Sequence, residues 1–96
     1  MKLKYKVLQH KKINNYTFMG YEWAKNHGFT LKDYEKVYDG EIEEGKTIES
    51  TLEEIFIELN CHHPANYKGH SLSTSDIVVI KGKKYYCDSI GWEIVK

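Results

Sequence analysis

Residues 2–9, KLKYKVLQ, alternate strictly: Leu3, Tyr5 and Val7 fall on one side, Lys2, Lys4 and Lys6 on the other. A period of two residues belongs to a strand with one face covered, so the chain is predicted to open with a strand. Lysine at every second position also guards a strand against edge-to-edge pairing. KKINNY then reads as a polar turn. In YTFMGYEWAKNHG the residues Phe18, Tyr21, Trp23 and Ala24 approach helical spacing, Thr17 is placed to cap, and Gly28 stands where a left-handed terminator belongs. A short helix is predicted there. Residues 34–43, YEKVYDGEIE, alternate again, with Asp39-Gly40 as a turn dipeptide. That pattern predicts a strand bent or bulged at Asp39-Gly40.

The strongest periodicity lies in STLEEIFIELN, residues 50–60. Leu52, Ile55, Phe56 and Leu59 follow i, i+3, i+4 and i+7, one apolar stripe of a helix. Ser50 and Glu53 have capping-box spacing, Glu53 and Glu54 suit the positive end of the helix dipole, and Asn60 suits a left-handed exit. Pro64 forbids continuation. Ile77–Ile80 is an unbroken apolar run, as in a strand covered on both faces. Lys81, Gly82 and Lys83 make a tight hairpin connection. Tyr85 and Cys87 then alternate with Tyr86 and Asp88, and Trp92, Ile94 and Val95 follow Gly91 as a last strand. The expected class is α+β: a small, mostly antiparallel sheet with two helices on one side, in the order β-α-β-α-β-β-β. With 96 residues, 41% apolar and 14% aromatic, the chain is expected to form one domain over 1–96.

Charge narrows the function classes. Fourteen basic residues balance fourteen acids, and every basic side chain is lysine. Without arginine the chain lacks the planar fork that reads phosphate and guanine, and a neutral surface gains little from counterion release. Nucleic acid is therefore a disfavoured partner. A nucleic-acid-binding module with Tyr85 and Tyr86 as stacking platforms remains an alternative. No apolar run reaches the roughly eighteen residues of a membrane span, and the first residues lack the apolar centre of a signal peptide. A cytoplasmic location is expected, with Cys61 and Cys87 as free thiols in or near the core.

Candidate chemistry concentrates in HHPANYKGHSLSTSDIVVI, residues 62–80. Cys61, His62, His63, His70 and Cys87 are ligand-type residues, but their spacing fits no standard zinc site, so no metal or cofactor is expected. His63, His70, Ser71, Ser73, Ser75, Asp76 and Asp88 supply the residue types of a Ser-His-Asp triad, and Asp76 and Asp88 would be neighbours if their strands pair. A small metal-dependent or Ser/His hydrolase is thus a second alternative. Against it stand the missing GxSxG elbow and the little concave volume expected of so small a domain. The preferred reading is a self-hydrogen-bonded connection: Ser73, Ser75 and Asp76 accept from backbone N–H groups one to three residues away, and His70 donates within its own loop. Asp88-Ser89 ahead of Gly91 make a similar turn.

Thr51 to Val95 resembles the YodL-like domain of Gram-positive bacteria and their mobile elements. The residues carrying the likeness are His63-Pro64, Gly69-His70-Ser71-Leu72-Ser73, Ser75-Asp76, the strand Ile77 to Val79, then Tyr86, Asp88-Ser89 and Gly91-Trp92. The first half follows the family in outline only. The resemblance implies no catalytic residue. It implies a setting, since relatives look like parts of large proteins of conjugative elements and phages. In that setting the expected function is a non-catalytic protein-binding module that inhibits a host defence nuclease complex (anti-CRISPR or antirestriction). The expected partner is a CRISPR effector or restriction complex with a basic surface. Asp39, Glu41, Glu43, Glu44 and His62 are the expected contacts.

Overall fold

The computed structural model describes residues 2–61, 67, 69 and 71–95. Five strands, β1 (Lys2–His10), β2 (Tyr34–Glu43), β3 (Ile77–Ile80), β4 (Lys83–Cys87) and β5 (Trp92–Ile94), form one sheet in the order β2-β1-β3-β4-β5. Every neighbouring pair is antiparallel. Helices α1 (Tyr21–Asn26) and α2 (Ile48–Cys61) and a 3-10 turn over Leu31–Asp33 complete the chain. The α+β class and the succession of strands and helices agree with the sequence pattern; the 3-10 turn is an addition.

The helices lie on opposite sides of the sheet, not on one side as the sequence pattern predicts. Leu3, Tyr5, Val7, Val78, Ile80 and Tyr85 meet Leu52, Ile55 and Leu59 of α2 in one core. Ile77 and Tyr86, their neighbours in the chain, meet Tyr16, Tyr34 and the α1 residues Tyr21 and Ala24 in another. Consecutive strand residues point to opposite faces, so the two cores lie on opposite sides. β3 is apolar throughout because it contributes to both. The lysine-bearing β1 is not an edge strand either: it lies between β2 and β3, and Lys2, Lys4 and Lys6 stand opposite Glu43, Glu41 and Asp39.

β2 runs unbroken from Tyr34 to Glu43, and Asp39 and Gly40 are in register with Lys6 and Tyr5. The irregularity falls earlier, where Val7 pairs Tyr38 but Leu8 pairs Lys36, leaving Val37 as the extra residue. This bulge lets Tyr34 enter the α1-side core while Val37 and Tyr38 pack on the α2 side. Gly40 serves close approach rather than a turn: a Cβ there would lie 2.5 Å from Cζ of Tyr5 and 2.6 Å from Tyr38. The Tyr5 ring therefore crosses β2 above a bare backbone.

Both helix starts differ from the sequence reading. The capping box of α2 lies one turn earlier than Ser50–Glu53: Thr47 Oγ1 accepts from Ser50 N–H at 3.0 Å, and Ser50 Oγ accepts from Thr47 N–H at 3.1 Å. Ser50 thus takes the place usually held by glutamate. At the other end Asn60 stays helical. Helix α1 begins at Tyr21 behind Gly20, not at Thr17. Thr17 instead belongs to a turn in which Asn14 Oδ1 accepts from Tyr16 N–H, Thr17 N–H and Thr17 Oγ1. Gly28 has φ +89°, the expected left-handed exit. The β3–β4 hairpin turns on two residues, Lys81 at φ +52° and Gly82 at φ +78°, the signs of a type I′ turn, with Lys83 already in β4.

Candidate functional site

The Ser-rich segment ahead of β3 is built around Ser75, which is fully buried and holds a left-handed φ of +85°. Its N–H donates to the Cys87 carbonyl at 2.8 Å, and its own carbonyl accepts from the Tyr34 hydroxyl at 2.6 Å. Its Oγ accepts from Phe18 N–H at 2.9 Å and lies 3.0 Å from Nε2 of His10. Asp76 is 1% exposed, and its Oδ2 accepts from Ser73 N–H at 2.9 Å and from the Gln9 amide at 3.1 Å. Asp76 N–H in turn reaches the Ser73 carbonyl at 3.0 Å. The local turn expected at Ser73–Asp76 is present. Ser75 works over a longer range than expected, tying β1, β2 and the 14–20 loop to β4.

The contact between His10 and Ser75 joins a base to a hydroxyl, as a hydrolase would require. Its protonation runs the wrong way. Three donors fix the Asn14 carbonyl oxygen, so the Asn14 amide nitrogen is the group 3.3 Å from His10 Nδ1. With the amide nitrogen donating, Nδ1 accepts, and that tautomer places the proton on Nε2, toward Ser75 Oγ. A fully buried hydroxyl that accepts hydrogen bonds from a backbone amide and from the histidine ring is not arranged as a nucleophile facing its base.

Asp88 has a separate task. Its Oδ1 accepts from Tyr21 N–H at 3.2 Å and from Ser89 N–H at 2.8 Å, capping α1 from across the sequence where Gly20 has no side chain to do so. Asp88 N–H donates to the Gly91 carbonyl at 3.0 Å, the turn expected there, and Trp92 packs on the α2-side core. Asp76 therefore turns toward Gln9 and Asp88 toward α1; the two carboxylates do not join in one acid–base site. Tyr86 donates to the Met19 carbonyl at 2.7 Å. Ser75, Tyr86 and Asp88 thus pin successive backbone groups of Phe18, Met19 and Tyr21.

Several partners were not signalled by the sequence. Gln9, His10, Tyr34 and Asn60 carry the long-range bonds of this region. Asn60 brackets Leu72, donating to its carbonyl at 3.0 Å and accepting from its N–H at 2.6 Å. Only the odd polar residue closing the β1 alternation, Gln9, could have drawn notice. Gly69 is explained by contact, since a Cβ there would collide with the Gln9 amide oxygen. Ser71 is exposed and partnered. The expectations for His62, His63, Pro64 and His70 lie outside the described residues. Among the described residues no three His, Cys, Asp or Glu side chains gather as metal ligands. Cys61 and Cys87 are free; Cys61 is exposed rather than in the core, and burial, with Asp76, Glu53 and Asp88 nearby, pushes the Cys87 thiol up to about 12.

The rings of Tyr85 and Tyr86 are 7% and 0% exposed, one in each core, so neither offers a face to a base. Asp39, Glu41, Glu43 and Glu44 are exposed along β2 and just beyond it. They do not form a purely acidic face, because β1 sets a lysine opposite each of the first three, and Lys36 Nζ lies 2.6 Å from Asp39. Open hollows mark the surface. A hollow of about 700 Å³ lies beside Lys4, Lys6, Asp39, Glu41, Val79 and Lys81, and one of about 390 Å³ beside Ser73, Asp88, Ser89 and Trp92. Among the described residues no helix is long and apolar enough to cross a membrane.

No curated protein and no solved structure matches the chain. A family model does match, the YodL-like domain, over residues 3–96, and so reaches well beyond the half that carried the motif residues. The chain belongs to the YodL-like domain family.

Proposed function

We propose that this chain is a non-catalytic protein-binding module of a phage or conjugative element, and that it inhibits a host defence nuclease complex of CRISPR or restriction type. The observation that carries the non-catalytic half is the state of Ser75: buried, left-handed, its hydroxyl accepting from Phe18 N–H and lying 3.0 Å from Nε2 of His10. Asp76 and Asp88 are likewise engaged with backbone amides. The choice of partner follows the mobile-element setting of YodL-like relatives. The exposed acids Asp39, Glu41, Glu43 and Glu44 would meet a basic surface of the kind a nuclease offers to nucleic acid.

The test is capture by the tagged full chain from a native host lysate, read by mass spectrometry. The expected result is a nuclease or its effector subunit, released by salt. Reversing Glu41, Glu43 and Glu44 to lysine should weaken its binding about tenfold or more, through contacts that steer and align rather than bury. Retention of a defence complex by the reversed variant would remove the acidic strand from the interface. Hydrolysis of any ester or peptide substrate that disappears in Ser75→Ala would sink the non-catalytic reading.

A further inference from the structure

The sheet ends at β2, ten residues long, and among the described residues no strand pairs with its outer side. Such an edge presents a row of backbone N–H and C=O groups ready for another strand. Its side chains select the newcomer. On the α1 side of the sheet β2 carries Asp39, Glu41 and Glu43 in succession, and its inner neighbour β1 answers them with Lys6, Lys4 and Lys2. A strand on the outer side would meet the same three acids from the opposite flank. A second copy pairing antiparallel through Asp39–Glu43 would set acid against acid, which repels. A strand with lysine or arginine at alternate positions repeats the arrangement already used inside the fold.

A second observation singles out the same strand. The Tyr5 ring crosses β2 and its hydroxyl ends over Gly40, 2.6 Å from where a Cβ would stand. Tyr5 is 2% exposed, and this hydroxyl is the one buried side-chain oxygen or nitrogen found without a hydrogen-bond partner among the described residues. An unmet donor in that position is unfavourable in the isolated domain and could be met by a group arriving at the edge. A hollow of about 700 Å³ is lined by Lys4, Lys6, Asp39, Gly40 and Glu41 of the same two strands.

We infer that the outer edge of β2, over Asp39–Glu43, takes up an extended partner segment with basic residues at alternate positions, by antiparallel strand addition. This rests on the protein-binding reading above and names its mode. The probe is a capped peptide, Thr-Lys-Val-Lys-Val-Lys-Thr, against a control with its three lysines replaced by glutamate. Binding to the full chain is followed by amide hydrogen exchange and chemical shifts. The expected result is new protection of amides within 39–43, with β1 amides unchanged and the lysine peptide bound about tenfold or more tightly than the control. Glu41→Lys should abolish the preference; Glu41→Gln, which spares the pairing with Lys4 from repulsion, should reduce it. Equal affinity for the two peptides, or protection confined to other elements, would overturn strand addition. A lysate partner that stays charge-sensitive while the β2 amides remain unprotected leaves the protein-binding reading standing and removes this mode alone.

Discussion

Ser75→Ala probes the central claim that the polar cluster serves the fold. The substitution removes an oxygen that accepts from Phe18 N–H at 2.9 Å and lies 3.0 Å from His10 Nε2. Each buried donor left unpaired costs about 1–3 kcal/mol, and both sites are partly buried, so a loss of about 3 kcal/mol is expected. For a domain near this size each kcal/mol lowers Tm by about 4–8 °C, which gives a fall of about 12–24 °C. The backbone supplies an internal control. Alanine at φ +85° keeps the left-handed strain of about 1–2 kcal/mol, whereas glycine sheds it and gives back about 0.5–1 kcal/mol in chain entropy. Ser75→Gly should therefore be more stable than Ser75→Ala by about 0.5–1 kcal/mol, although both lack the hydroxyl. Urea and thermal unfolding followed by circular dichroism measure these differences, and faster exchange at the Phe18 amide locates them. An alanine variant within about 0.5 kcal/mol of the parent, or one more stable than the glycine variant, would refute the reasoning.

Other consequences follow from single contacts. Gly40→Ala forces a Cβ to 2.5 Å from Tyr5 Cζ and should cost about 1–3 kcal/mol in urea unfolding, with Tyr5→Leu in the same chain recovering part of the loss. Asp88→Ala removes the carboxylate that caps α1 and should cost about 0.5–2 kcal/mol, visible as faster exchange of the Tyr21 amide; unchanged exchange would mean that the cap is idle. In the native protein at pH 8 one thiol, Cys61, should react quickly with iodoacetamide, because burial pushes Cys87 up to about 12; two equal rates would contradict its burial. Burial raises Tyr67 and Tyr16 to about 12 and also raises Tyr5, Tyr34 and Tyr86, whereas unfolded tyrosine ionises near pH 10. Their contribution is thus complete below about pH 10 and lost as pH climbs through the folded values, so stability should decline from about pH 10 upward. Tyrosinate absorbance from more than three of the eight tyrosines, appearing well before loss of circular dichroism, would count against it.

The patterns along the chain determined the strands, the long helix and their order, because each rests on a period that neighbouring residues impose: two for β1 and β2, near 3.6 for Leu52–Leu59. The bonds of the Ser73–Asp76 turn were likewise legible, since serine and aspartate reach backbone groups a few residues away whatever the fold. Tertiary structure decided what periodicity cannot encode. The helices lie on opposite faces because the Val37 bulge and the two-sided β3 divide the apolar residues between two cores, a matter of strand order and not of local spacing. Gly40 looked like a turn in YDGE, but the ring of Tyr5, 35 positions earlier in the chain, requires bare backbone there. The acids expected to meet a basic partner already stand opposite Lys6, Lys4 and Lys2 of β1. Gln9 closes the alternation of the first strand and His10 follows it with no signal of its own; they become the partners of Asp76 and Ser75 only because β1 lies between β2 and β3. Hydrogen bonds and ion pairs act over a few ångströms, so which residues share them depends on chain reversals that no single segment specifies.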